Sequence, residues 1–252
     1  MWYENDQFWL SLFPFIFGAE QWTAASAEVE RIVSLLGISP PASVLDLCCG
    51  PGRHSLELAR RGFSVVGVDR TTALLDELKR RSQAEQLQIE VVHEDMRGFS
   101  RAEGFEAILN VYTSFGYFPD PEDDRGVLLN LHRSLKPGGT LLIDVLGKEV
   151  LARDFCHRNW RQQDGTIWLR ETTVTQNWGW IESKWILVTG TSRQEFAVAH
   201  RIYSGTELSA LLRQCGFEPV RIFGSIEGTP YDQKAERLVA VATKPRESGA
   251  AT

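Results

Sequence analysis

Asp46, Gly50, Gly52 and Asp69 are the residues whose types and spacing suggest chemistry. The apolar run Val44-Leu45-Asp46-Leu47-Cys48-Cys49 ends in Gly50-Pro51-Gly52-Arg53-His54-Ser55 and leads into an amphipathic segment from Leu56 to Gly62. This reads as strand, tight turn and helix. Glycines at the turn allow positive φ and leave no Cβ between the backbone N–H groups and a ligand. A second apolar run, Phe63 to Val68, ends at Asp69. In a βαβ unit that distance puts a carboxylate at the tip of the second strand, where it can accept from both hydroxyls of a ribose. A dinucleotide fingerprint wants a third glycine where this chain has Ser55, which counts against a nicotinamide cofactor. Asp46 lies inside an apolar strand and needs a partner for its charge, since an unpaired buried carboxylate is expensive. A cationic ligand suits it.

The elements that position these residues follow in order. Glu20 to Leu36 is predicted to be a helix, with Val29, Ile32, Val33 and Leu36 at helical spacing and a stop at Gly37 and Pro40-Pro41. A helix capped by Thr71 or Thr72 runs to about Ala84, and a strand from Gln88 to His93 delivers Glu94-Asp95-Met96. An acid followed by an apolar residue at that tip can accept from an adenine amino group, or Asp95 can simply cap a turn. The fourth strand, Phe105 to Val111, opens into the loop Asn110 to Phe118, whose hydroxyls and aromatic rings can orient a small polar substrate. Pro121 to Leu135 is a helix with acids at its start, where the dipole favours them. The turn Lys136-Pro137-Gly138-Gly139 feeds a strand from Thr140 to Leu146.

The period then changes. Three alternating stretches, Thr166 to Gln176, Gly179 to Thr189 and Arg193 to Tyr203, read as an antiparallel meander. A helix from Glu207 to Cys215 capped by Thr206, and strands from Phe217 to Phe223 and Glu236 to Thr243, complete the sheet. The first residues are unusually aromatic, with Trp2, Tyr3, Phe8, Trp9, Phe13, Phe15 and Phe17. They either dock a helix on the core or cover a cleft.

The strand, acid and glycine loop, the acid after the second strand and the Lys-Pro-Gly-Gly turn closely resemble the class I S-adenosylmethionine-dependent methyltransferases. The resemblance covers roughly Glu20 to Lys244. It implies an α/β fold with a Rossmann-like seven-stranded sheet and a small antiparallel β insert forming a lid, similar to sugar-amine N-methyltransferases. The organisation expected is an N-terminal aromatic and helical cap over 1–40, a cofactor-binding core over 41–150, the insert as substrate lid over 151–204, completion of the core over 205–244 and a flexible tail over 245–252. The resemblance implies S-adenosyl-L-methionine as cofactor and S-adenosyl-L-homocysteine as its product. Asp46 and the backbone of Cys48, Cys49, Gly50 and Gly52 would meet the methionine end and sulfonium, Asp69 the ribose, and Asp95 with Met96 the adenine, with Arg70 as a further cofactor-binding candidate. Asn110 would take the amino-acid end.

Activity is expected to be methyl transfer to a small molecule bearing an N or O nucleophile. Candidate bases, in order, are His200, Tyr112, Tyr203 and Asp144; candidate substrate contacts are Tyr3, Trp9, Ser114, Tyr117, Arg201 and Tyr231. The loop departs from the Asn/Asp-Pro-Pro-Tyr/Phe pattern that grips nucleobases or amides. A nicotinamide-dependent oxidoreductase and a non-catalytic cofactor-binding partner are the alternatives. With 33 acidic against 27 basic residues the net charge of −6 offers no field for a polyanion, so nucleic acid is not expected as a partner. Four cysteines without CxxC spacing imply no metal. No apolar run suits a bilayer span and no leader is evident, so neither a membrane partner nor export is expected and the cytoplasm is. Monomer and homodimer stay open.

Overall fold

The computed structural model describes residues 1–246, so the tail expected over 245–252 lies, beyond Arg246, outside the described residues. Two helices open the chain, α1 (Asp6–Ile16) and α2 (Ala19–Leu36). The core alternates β1 (Ser43–Leu47), α3 (Arg53–Arg60), β2 (Ser64–Asp69), α4 (Thr72–Ala84), β3 (Ile89–His93), β4 (Phe105–Asn110), α5 (Pro121–Ser134) and β5 (Leu135–Val145). After α6 (Lys148–Arg153) come β6 (Arg158–Gln163), β7 (Thr166–Thr175), β8 (Trp180–Thr189) and β9 (Ser192–Arg201). The chain then returns through α7 (Gly205–Gln214), β10 (Val220–Phe223) and β11 (Leu238–Thr243).

The seven-stranded sheet has the order β10-β11-β5-β4-β1-β2-β3. β11 runs antiparallel between β5 and β10, and the other pairings are parallel. Strand order reverses beside β1, so the carboxyl ends of β1 and β4 diverge and leave a crevice. Val44, Leu45 and Leu47 are fully buried because helices cover both faces of β1. The apolar stripe of α2 is Ala25, Val29, Ile32 and Leu36, and the helix stops where Gly37 takes φ +65°. Asp120 caps α5 by accepting from the Glu122 N–H at 2.9 Å. The expected Thr206 cap of α7 is instead Ser204: its hydroxyl accepts from Glu207 N at 3.1 Å while the Glu207 carboxylate accepts from Ser204 N at 2.8 Å.

The insert is a separate sheet of four strands, β6-β7-β8-β9, not three. β6 (Arg-Asn-Trp-Arg-Gln-Gln) carries no apolar alternation, and only its pairing with β7 makes it a strand. The insert packs on α1: Phe8, Leu12 and Phe15 meet Leu187 and Val198, with Trp168, Trp185 and Phe196 around them. Trp2 Nε1 also donates to the Ala199 carbonyl at 2.6 Å. α1 therefore lies between the insert and the core.

Gly52 takes φ +83°, and a Cβ there would fall 2.2 Å from Leu78 Cδ1. Gly165, at φ +75° in the β6–β7 turn, has open space around the same position. Gly165→Ala is expected to cost only the conformational penalty of about 1–2 kcal/mol. Gly52→Ala adds overpacking of roughly 1–3 kcal/mol. Urea denaturation of the two variants should show the larger loss at Gly52.

Candidate active site

A cavity of about 120 Å³ opens at the carboxyl ends of β1, β2 and β4. Of the cofactor candidates, Asp46, Cys48, Cys49, Gly50, Asp69, Arg70, Asp95 and Met96 line it. Asp46 is 1% exposed, and its Oδ2 accepts from Ser55 Oγ at 2.6 Å. Burial raises its carboxyl above the usual range, while the charges of His54 and Arg53 and the Ser55 bond work the other way. Ser55, which breaks the dinucleotide pattern, is thus the partner of the buried acid. Asp69 is also raised by burial; its oxygens accept from Thr71 N at 2.8 Å and Gly50 N at 2.9 Å. It thereby braces the glycine turn.

At the β3 tip, burial works to raise Asp95, but its bonds to Arg97 hold it below the ordinary value. Arg97 Nη2 donates to it at 2.8 Å and Arg97 Nε at 3.0 Å. Arg70 Nη1 donates to the Tyr3 carbonyl at 3.0 Å, so that guanidinium ties down the N-terminal segment. Burial pushes the Cys48 and Cys49 thiols well up, leaving them as inert packing groups.

Two cofactor candidates stand back from the cavity lining. Gly52 turns under the loop against Leu78, where it permits the bend without facing a ligand. Asn110 is 1% exposed; its Nδ2 donates to the Leu47 carbonyl at 3.4 Å, and its Oδ1 is buried without a partner.

Tyr3, Trp9, Ser114 and Tyr117 line the cavity, as does Tyr112. The other substrate and base candidates do not, and each has a partner that explains why. Arg201 pairs with Asp124 at 3.3 Å and donates to the Pro119 carbonyl at 2.9 Å. Tyr203 donates to the same Asp124 at 2.6 Å; burial, and then the Asp124 charge, raise its hydroxyl, while burial pushes the Asp124 carboxyl up to about 6. Tyr231 donates to Glu149 at 2.7 Å across from α6. His200 sits in β9 opposite Ile181, with Nδ1 donating to the Arg201 carbonyl at 3.0 Å and burial lowering its affinity for a proton. Asp144 is held by Arg237 Nε at 2.7 Å and accepts from Tyr112 N at 3.0 Å. No residue of 151–204 lines the cavity; the residues over it come from the N-terminal segment, with Phe17 lying on Gly50.

Sequence reasoning missed a charged cluster in the wall. Glu28, 8% exposed on α2, accepts from Arg53, from Tyr112 Oη and from His54 Nε2 at 2.8 Å. The Arg53 guanidinium lies 4.1 Å from the centre of the Tyr112 ring. Although burial acts to raise it, these partners hold the Glu28 carboxyl down to about 2. The available signal was Glu28 standing three residues after Ala25 and four before Ile32, inside the apolar stripe of α2.

A family model described as a methyltransferase domain matches residues 44–139. The putative methyltransferase YqeM of Bacillus subtilis (strain 168) is 27% identical over 209 residues, covering 81% of this chain and 84% of that protein. The solved CcbJ methyltransferase from Streptomyces caelestis superposes with a TM-score of 0.76 at 17% identity, over 88% of this chain and 90% of that one. S-adenosylmethionine-bound CalS10, an amino pentose methyltransferase from Micromonospora echinaspora, does so at 0.62 and 21% identity, over 88% and 91%. Residues 44–139 are thus a methyltransferase domain, and the chain has the fold of the class I S-adenosylmethionine-dependent methyltransferases. The nicotinamide alternative falls away with it. The residues that line the cavity fit that cofactor: Gly50, which puts no Cβ into the turn, and the acids Asp69 and Asp95 after β2 and β3.

Two outcomes are expected. Asp69→Ala should weaken S-adenosylmethionine binding by about ten-fold or more, through loss of an acceptor and of the turn it braces; unchanged affinity by calorimetry would remove the ribose assignment. The second concerns Glu28. Its folded value of about 2 lies below its ordinary 4.5, so its stabilisation is present above pH 4.5 and lost as pH falls toward 2. Glu28→Gln should be less stable than the parent by roughly 2–3 kcal/mol at pH 7, with the gap closing across that window in pH-dependent denaturation.

Proposed function

We propose that this methyltransferase acts on a small-molecule acceptor through a nitrogen or oxygen nucleophile. The observation that carries this reading is the aromatic lining of the cavity. Tyr3, Trp9 and Phe17 from the N-terminal segment face Tyr112, Ser114 and Tyr117 from the β4–α5 loop. A space walled by rings from both sides admits a compact molecule with an apolar or ring portion. The amino pentose substrate class in the name of CalS10, whose fold this chain shares, agrees with it.

S-adenosylmethionine, when bound, supplies a methyl group on a sulfonium sulfur. What the chain adds is alignment and exclusion of water, which is most of what an in-line displacement needs. Asp46 and Asp69 offer negative charge along the glycine turn, where a cation is favoured. Tyr112, its hydroxyl given to Glu28 and its ring set on Arg53, presents a fixed oxygen lone pair at the acceptor side. Among the candidate bases it is the one that lines the cavity.

Calorimetry with S-adenosylmethionine and S-adenosylhomocysteine, and with NAD as control, is the first measurement. Micromolar binding of the first two alone is expected. Mass spectrometry of the enzyme incubated with cofactor and a panel of amino sugars, amines, phenols, a peptide pool and transfer RNA then tests the acceptor. Methylation confined to the peptide or RNA arms would overturn the small-molecule reading.

A further inference from the structure

The insert sheet holds a second group of N–H donors that the cofactor cavity does not use. Directly opposed residues of an antiparallel pair project from one face. The register of β6 to β9 therefore puts Arg161, Trp168, Arg170, Trp185, Phe196 and His200 on the same face. It is the face that α1 covers in part, with Phe8 against Trp185 and Phe15 against Trp168.

Three donors there have nothing to donate to. Trp168 Nε1, Trp185 Nε1 and Arg170 Nε are each buried from solvent without a hydrogen-bond partner among the described residues. Arg170 stands opposite Trp185 in the register, and the Trp168 and Trp185 rings lie 4.8 Å apart, so the three belong to one patch. Burial pushes the Arg170 guanidinium down, the charge of Arg161 adds repulsion, and no carboxylate acts on it. Exposed Arg161 sits above the Trp168 ring, 6.0 Å from its centre. A desolvated cation without a counter-ion and two indole N–H groups without acceptors are each unfavourable. Together they ask for one ligand that brings negative charge and several acceptor oxygens.

We propose that this patch of the insert binds an anionic group of a small molecule, a carboxylate or a phosphoryl, with Arg170 as its counter-ion and Trp168 and Trp185 as neutral donors. The guanidinium offers the planar fork that both groups accept in pairs. Arg201 is committed to Asp124, whereas no carboxylate acts on Arg170 among the described residues. Phe8 and Phe15 border the patch while Trp9 and Ile16 of the same helix line the cofactor cavity, so an occupant also fixes the helix that covers the active site.

Tryptophan emission and thermal melting of the full chain report the site directly. Titrations with pyrophosphate and with malonate, at constant ionic strength set by chloride, separate a phosphoryl ligand from a carboxylate. A saturable emission change with a rise in Tm is expected from at least one of them. Arg170→Gln should weaken that response at least ten-fold and leave S-adenosylmethionine affinity unchanged, which separates failure here from failure of the cofactor reading. Without anion, Arg170→Met should melt at or above the parent temperature, because it removes a charge that lacks a partner. No saturable response to either anion, an equal response in Arg170→Gln, or a lower Tm in Arg170→Met would overturn the proposal.

Discussion

A carboxylate placed on the buried stripe of a helix must be met by donors or be driven out to water. Glu28 imposes that constraint on α2, and the structure answers it with Arg53 and His54 from the start of α3 and Tyr112 from the β4–α5 loop. Three segments far apart in the chain are thereby held in one wall. The pairing also explains why Arg53 and His54, both only about 5% exposed, follow directly on the glycine turn. Removing Glu28 would leave Arg53 and His54 desolvated without their shared carboxylate, which costs more than the cluster gains over water.

The Tyr112 side of that wall depends on a second buried pair. Tyr112 and Thr113 take φ of 60° and 62°, a conformation that side chains other than glycine adopt only when something holds it. Asp144 holds it, accepting from Tyr112 N at 3.0 Å with its carboxylate and from Thr113 N at 2.9 Å with its carbonyl. Arg237 bridges the two, with Nε 2.7 Å from Asp144 and Nη2 2.9 Å from Thr113 Oγ1. Asp144 is therefore a positioning residue, one strand away from the group it orients. The same logic places Asp124, which joins Arg201 and Tyr203 to α5 and so anchors the last strand of the insert to the core.

The N-terminal aromatics turn these fixed walls into an enclosed site. Trp2 reaches β9 through the Ala199 carbonyl, and the Tyr3 carbonyl receives both Arg70 at 3.0 Å and Trp9 Nε1 at 3.0 Å. Tyr3 stacks on Tyr117 with ring centres 5.8 Å apart. The insert contributes from behind: its apolar face buries Phe8, Leu12 and Phe15 and so sets where α1 lies. Its influence on the cavity runs through α1.

Much of this was legible in the residues themselves. Alternation and helical spacing are local, and so the order of strands and helices, the glycine turn, and the acids at the tips of β1, β2 and β3 could be read directly. Those residues point into the cavity because a strand end and a tight turn leave their side chains little choice of direction. The roles of Asp144, His200, Arg201, Tyr203 and Tyr231 could not be read that way. Each is a polar side chain whose behaviour is set by the nearest complementary group; His200 turns to the adjacent Arg201 carbonyl, and the other partners, Arg237, Asp124 and Glu149, come from elsewhere in the sequence. β6 likewise exists only through its partner strand. Local pattern determined the fold and most of the acids and turn residues that line the cavity; which polar groups are free to face a ligand was decided by long-range pairing, since a buried charge is costly without a partner and only the folded chain supplies one.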